Sequence, residues 1–140
     1  MVAPPVLSFQ NFSKQFILQT DASDLGIGAV LLQEGTDGVK HPVAFSSKKL
    51  LDRERNYFTV EKEGFGIVWS IQKFQEFLYG QAFVLETDHM HLQYLKNQFQ
   101  NGRLMRWALA LQPYTFTVRA IPGKENVGAD FLSRHVVSDS

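Results

Sequence analysis

Two short apolar runs in this sequence close on the same dipeptide: Phe16-Ile17-Leu18-Gln19-Thr20 leads into Asp21, and Phe83-Val84-Leu85-Glu86-Thr87 leads into Asp88. Both have the length and residue types of strands. Between them, from about Thr59 to Tyr79, the period changes to that of a helix. Ile67, Ile71, Phe74 and Leu78 recur at steps of four, three and four, and Phe65, Val68, Trp69 and Phe77 widen the same apolar face. So wide a face belongs to a largely buried helix, and a helix feeding a strand favours a crossover to a parallel neighbour. In open α/β sheets functional side chains collect where parallel strands finish, so two strands that both end in Thr-Asp deliver two carboxylates to such a place.

The other elements follow from local chemistry. Gly26 to Leu32 and Pro42-Val43-Ala44-Phe45 are two further strands, and Gly35-Thr36-Asp37-Gly38 between them is turn chemistry, which makes the first three strands an antiparallel meander. Gly64 and Gly66 each cost about 1 kcal/mol of helix propensity relative to Ala, and close backbone packing is the expected reason for them. Gly80 is placed to end the helix as a left-handed cap. Short helices are expected around His91 to Lys96 and from Arg103 to Leu111, the second stopped by Pro113, and Tyr114 to Ile121 alternates as a fifth strand. Asn126 can cap a last helix that carries Asp130, Leu132 and Arg134. Residues 1–14, with Pro4 and Pro5, read as an extended leading segment from a preceding domain, 15–134 as one α/β domain on a mixed sheet, and 135–140 as a flexible tail.

Composition narrows the chemistry. A chain of 140 residues, 44% of them hydrophobic, can bury one core. It contains no cysteine, so a metal must be held by carboxylates or histidines, and oxygen ligands suit magnesium or manganese. The absence of cysteine also fits a reducing compartment. No run approaches the roughly 18 apolar residues of a membrane helix, and the first residues lack a signal-peptide pattern, so a soluble, intracellular protein without a membrane partner is expected. The formal charge of zero argues against strong independent binding to a polyanion; a partner domain that holds the substrate is the simpler explanation, and a cluster of acids in a metal site that hides some basic surface from the net count is the other.

A third acid comes from the helix. Glu63 precedes Ile67 by four residues and continues the buried face toward the strand ends; Glu61 lies about 200° away on the wheel and stays open as the alternative. Asp130, in the first turns of the last helix, is a fourth. Each acid alone has a plain structural reading, as a turn cap or a solvated first-turn acid. Gathered together they would repel one another unless cations neutralise them, and two magnesium ions can do so while promoting an in-line phosphoryl displacement. Ser23, two residues after Asp21, is placed to meet a 2′-hydroxyl, and Arg103 is a candidate phosphate contact. Trp107, with Leu104 and Leu111 at helical spacing, reads as core, and His89 and His91 as structural residues rather than magnesium ligands.

The stretches TDASDLGIGAVLLQ, HPVAFSSKKL, ERNYFTVEKEGFGIVW, FVLETDH, GRLMRWALALQ and PGKENVGADFLSR, in this order and spacing, resemble the ribonuclease H domain of gypsy-type LTR-retrotransposon reverse transcriptases, carried in Pol polyproteins. The likeness runs from about Phe16 to Arg134. It implies a ribonuclease H-like α/β fold, a five-stranded mixed sheet in order 3-2-1-4-5 with flanking helices. It implies Asp21, Glu63, Asp88 and Asp130 as catalytic metal ligands for two Mg2+ ions, with Mn2+ able to substitute. The implied activity is endonucleolytic hydrolysis of the RNA strand of RNA/DNA hybrids during reverse transcription, beside the polymerase and connection regions of the same polyprotein, in a cytoplasmic particle or the nucleus. Many ribonucleases H carry an assisting histidine ten residues before the last aspartate; Ala120 stands there, which implies slower turnover or greater reliance on water for proton transfer. The basic protrusion of some cellular relatives is also missing, since residues 89–102 supply only Lys96. Two other readings exist on the same fold: a non-catalytic connection or dimerisation module or host-domesticated copy, and a DNA strand-transfer enzyme. Connection and dimerisation modules lose their acids, and all four are present; strand-transfer enzymes place a glutamate on a late helix, where Asp130 stands.

Overall fold

Each of the five apolar runs becomes a strand. The computed structural model describes residues 14–57, 59–88 and 102–121. In chain order these contain β1 (Phe16–Ala22), β2 (Gly26–Glu34), β3 (Lys40–Lys49), α1 (Asp52–Arg55), α2 (Thr59–Lys73), α3 (Gln75–Leu78), β4 (Ala82–Asp88), α4 (Gly102–Ala110) and β5 (Thr115–Ile121). The expected helices around His91 and after Asn126, with Asp130, lie outside the described residues.

The strands form one sheet in the order β3-β2-β1-β4-β5, the mixed arrangement expected. β1 to β3 make the antiparallel meander, while β4 runs parallel to β1 and β5 parallel to β4. β3 is longer than the four-residue run suggested, because polar residues on both sides of Val43 and Ala44 continue the ladder to Lys49. Pro42 is tolerated since β3 is an edge strand and the register shifts beside it, between Leu31 and Leu32 of β2. The turn before it is closed by a Gly35 N–H to Val39 O bond of 2.8 Å, with Gly38 at φ 78°. Asp37 accepts the Val39 N–H at 2.9 Å; that bond, reinforced by His41 at 3.3 Å, holds its carboxyl below the ordinary aspartate range.

One sheet face carries the main core. Phe16, Leu18, Ala29, Leu31, Phe83 and Leu85 meet Ile67, Val68 and Ile71 of α2, with Phe74, Phe77, Leu78 and Leu111 closing the cluster. The opposite face has its own smaller cluster of Ile17, Val30, Leu32 and Val84, with Phe45 against it. Burial on both faces is why β1 and β2 read as continuous apolar runs rather than alternating ones. Trp107 is core-packed as expected, stacked on Phe65 with ring centroids 5.8 Å apart.

The helix read as running from Thr59 to Tyr79 is interrupted. α2 ends at Lys73, Phe74 takes φ −102° and ψ 24°, and α3 resumes at Gln75. One turn earlier the Ser70 hydroxyl donates to Gly66 O at 2.6 Å, a back-bond of the kind that bends helices. The interruption seats Phe77 against both Phe16 and Phe74 in edge contacts. Gly80 then takes φ 85°, as expected of a left-handed cap, and the Gln81 side-chain amide donates to the orphan Phe77 carbonyl at 2.8 Å.

The packing reason expected for Gly66 is not found. A Cβ there would stand 3.6 Å from Ile27 Cγ2 and 3.7 Å from Ala22 Cβ, which is ordinary van der Waals contact. Gly66→Ala is therefore expected to stabilise the fold by about 0.5–1 kcal/mol through helix propensity, whereas Gly80→Ala, forced to positive φ in open space, should destabilise by about 1 kcal/mol. Thermal unfolding followed by circular dichroism checks both signs.

Candidate functional site

Parallel pairing of β1 with β4 builds this site. The register sets Ile17 beside Val84, Leu18 beside Leu85 and Gln19 beside Glu86. Asp21 and Asp88 each lie two residues beyond the Gln19 and Glu86 row, so they share one level at the C-terminal end of neighbouring parallel strands. Asp21 is 9% exposed; Asp88 is described through its backbone, which pairs with Ile121 of β5. Ala120, at the position of the missing histidine, pairs with Thr87 one step earlier.

The first turns of α2 come to the same end. Gly66 faces Ala22 and Ile27, and Glu63 lies one turn closer to the helix start, about 60° from the Gly66 direction at 100° per residue. Glu61 lies about 140° from that direction. Burial ranks the two differently: Glu61 is 6% exposed and Glu63 half-buried. Direction is the better guide to what an acid can share with Asp21, because a buried carboxylate aimed elsewhere serves its own neighbours.

Ser23 sits in the tight link from β1 to β2. Its N–H donates to Gly26 O at 2.9 Å, and its hydroxyl oxygen accepts the N–H groups of Leu25 and Gly26 at 3.2 and 3.3 Å. The hydroxyl thus shapes the turn beside Asp21, a role that sequence spacing did not suggest. Lys62 reaches across to Asp24 of the same turn at 2.9 Å, joining α2 to it. Arg103 falls in the first turn of α4. Asp130, His89 and His91 lie outside the described residues.

The donor set suits a hard cation. Asp21 and Glu63 offer carboxylate oxygens at the sheet end, Asp88 is level with Asp21, and the chain contains no thiol. Among the described residues no group of three or more acids or histidines is disposed to hold a metal ion, a set in which Asp21 and Glu63 are the members of the four with described side chains.

One carboxylate near the site was missed by sequence reasoning. Glu86, two residues before Asp88, is fully buried. Lys40 Nζ donates to both its oxygens at 2.9 Å, Gln19 Nε2 to Oε1 at 2.9 Å, and Arg119 Nε stands 3.4 Å from Oε2. These four side chains come from β3, β1, β4 and β5. With its oxygens taken up by cations, Glu86 serves the sheet rather than a metal. The signal in the sequence was an acid in the middle of an otherwise apolar strand, Phe83-Val84-Leu85-Glu86.

Sheet order, helix placement and these strand ends define a ribonuclease H fold. Among solved structures, LC11-RNase H1 isolated from compost superposes with a TM-score of 0.63 at 15% identity, over 89% of this chain and 96% of its own. Prototype foamy virus protease-reverse transcriptase gives a TM-score of 0.63 at 12% identity, over 83% of this chain and 16% of the viral one. The chain belongs to the family described as the RNase H-like domain found in reverse transcriptase, whose profile matches residues 11–114. It is 41% identical to the retrovirus-related Pol polyprotein from transposon 297 of Drosophila melanogaster over its whole length, and 39% identical to the Tf2-3 transposon polyprotein of Schizosaccharomyces pombe over 97% of its length. It spans 13% and 11% of those polyproteins. No helix among the described residues is long and apolar enough to cross a membrane.

The Glu86 network carries an asymmetric prediction. Lys40 and Arg119 are 31% and 51% exposed while Glu86 is 0% exposed, so the cations can rehydrate when the acid is removed but the acid cannot when a cation is. Glu86→Leu should change stability by no more than about 1 kcal/mol, whereas Lys40→Met should cost about 2 kcal/mol, discounted from a fully buried pair for Lys40's exposure and the remaining Arg119. Urea unfolding midpoints of the two variants decide this; a larger loss for Glu86→Leu sinks the reading.

Proposed function

We propose that this chain is the ribonuclease H domain of a gypsy-type LTR-retrotransposon reverse transcriptase and cuts the RNA strand of RNA/DNA hybrids internally, leaving 5′-phosphate and 3′-hydroxyl ends. The observation that carries the reading is the parallel β1 and β4 register, which sets Asp21 and Asp88 level at the sheet end beside the start of α2. Family membership and the shared fold support it, and LC11-RNase H1 has been solved in complex with an RNA/DNA hybrid. The polymerase and connection regions of a surrounding polyprotein would be its partners, as the length of the matched relatives suggests.

In this reading Asp21, Glu63, Asp88 and Asp130 hold two magnesium ions, or manganese in their place. When bound, those ions neutralise the clustered acids, make a water acidic enough to attack at neutral pH and withdraw charge from the phosphodiester. The protein's own contribution is positional. Asp21 and Asp88 are held by strands whose flanking Thr20 and Thr87 are buried, so their backbone is anchored in the packed sheet. Glu63, half-buried on α2, closes the acid set while leaving it open to substrate. Water adds to phosphorus and the bond to the 3′ oxygen breaks; with Ala120 in place of an imidazole, the departing oxygen takes its proton from solvent.

The full chain, supplied with magnesium, is expected to cut an end-labelled RNA/DNA hybrid and to leave duplex DNA intact. An intact hybrid under conditions where a control ribonuclease H cuts it would falsify the proposal. Asp88→Asn should lower cleavage on the order of 10²-fold or more, as removal of a ligand exceeds the 10–100-fold loss typical of its supporting partners, with an unchanged thermal midpoint. Glu63→Gln should behave likewise. Glu61→Gln should keep cleavage and lose about 1 kcal/mol of stability; the reverse pattern in a paired cleavage and unfolding assay would make Glu61 the ligand.

A further inference from the structure

Several cations on the described surface are committed. Lys40 and Arg119 serve Glu86, Lys62 pairs with Asp24, and Lys73 lies over the Trp69 ring at 5.8 Å. The corner from the end of β3 into α1 is different. Lys49, Arg53 and Arg55 are exposed there, and none has an ion pair among the described residues. Asp52, in the first turn of α1, is the exposed acid of this segment; Glu54 is buried and spent internally. Its carboxylate accepts the Leu51 N–H at 2.8 Å and pairs with Lys48 at 3.7 Å.

That buried acid makes the corner a fixed platform. The N–H groups of Glu54 and Arg55 donate to Leu51 O at 2.9 and 3.0 Å, and Leu50 N–H donates to Leu25 O at 3.0 Å, fastening the corner to the turn that follows Asp21. The arginines therefore leave a backbone that is already ordered, which lowers the entropic cost of using them.

The corner also lies at the same end of the sheet as the acids. Asp21 pairs with Gly28, Gly28 with Ser47, and Lys49 stands two residues beyond Ser47 on β3. Two strand spacings and two residue rises put Lys49 about 12 Å from Asp21 between Cα atoms. At about 3.4 Å of rise per nucleotide along one strand, that is three to four nucleotides. α1 continues outward from there.

We propose that Lys49, Arg53 and Arg55 form a phosphate grip that holds the backbone of an RNA/DNA hybrid a few nucleotides from the scissile bond. The proposal rests on the nuclease reading above and adds to it where the substrate lies. A formal net charge of zero does not exclude a polyanionic substrate when three basic groups, unpaired among the described residues, stand together at one corner. Guanidinium groups suit the task, since they present a fork of donors to phosphate oxygens.

The test uses the full chain carrying Asp88→Asn, so that no cutting occurs, with magnesium and a fluorescein-labelled RNA/DNA hybrid of about 20 base pairs, a size set by the few-nucleotide reach estimated above. Anisotropy titrations over a range of potassium chloride give the slope of log K against log salt. Combined Lys49→Gln, Arg53→Gln and Arg55→Gln should weaken binding at least about tenfold and reduce the slope by about 2–3, at roughly 0.9 per lost phosphate contact. Restoring charge with Arg53→Lys and Arg55→Lys should recover most of the slope, and Lys14→Gln, at the opposite end of β1, should leave it unchanged. An unaltered slope in the triple variant, or no salt-dependent binding by the parent, overturns the grip. Cleavage by the chain with Asp88 intact is measured in parallel: cutting with an unaltered slope rejects the grip alone, whereas a reduced slope without cutting rejects the nuclease reading alone.

Discussion

The pairing of β1 with β4 is the interaction on which the rest depends. It is non-local, joining segments some 67 residues apart, as Gln19 and Glu86 are, and nothing in either segment alone enforces it. What enforces it is the crossover through α2, whose Ile67, Val68 and Ile71 are buried when β4 comes back beside β1 on the same face. Once the strands are parallel and in this register, the two Thr-Asp ends become neighbours. Burial of apolar surface therefore determines where charge collects.

Charge is handled in two different ways within one sheet. At Glu86 a carboxylate is buried under Lys40, Gln19 and Arg119, drawing on four of the five strands. Two residues further on, Asp88 stands at the sheet end. The first arrangement spends its acid on internal partners; the second sets Asp21 and Asp88 level at the ends of two central strands. The same division recurs at the β3 and α1 corner, where Glu54 is satisfied inside and the arginines remain outside. Nearby acids in sequence thus have opposite uses according to which partners the fold brings to them.

Much of the fold was legible because periodicity reports burial directly. The five strands, the meander, the buried helix and the Gly80 cap follow from residue spacing and turn chemistry. The break at Phe74 was not legible: its period continues unbroken through Leu78, and only the packing of Phe77 on Phe16 shows why the helix yields. The glycine at 66 misled in the other direction, since an expected close approach turned out to be ordinary contact. α1 was unseen because four polar residues carry no period, and it is held instead by one buried glutamate.

By itself the sequence determined the element types, the strand ends on which Asp21 and Asp88 sit, and, through motifs in register over most of its length, the family. These are local or cumulative properties of residues along a chain. Tertiary structure alone decided that Asp21 and Asp88 share a level, that Glu61 is buried more deeply than Glu63, that Glu86 is taken up by Lys40 and Arg119, and that Lys49, Arg53 and Arg55 remain outward. The physical reason is common to all four. The use of a charged side chain depends on which opposite charges and how much water surround it, and those are supplied by segments distant in sequence.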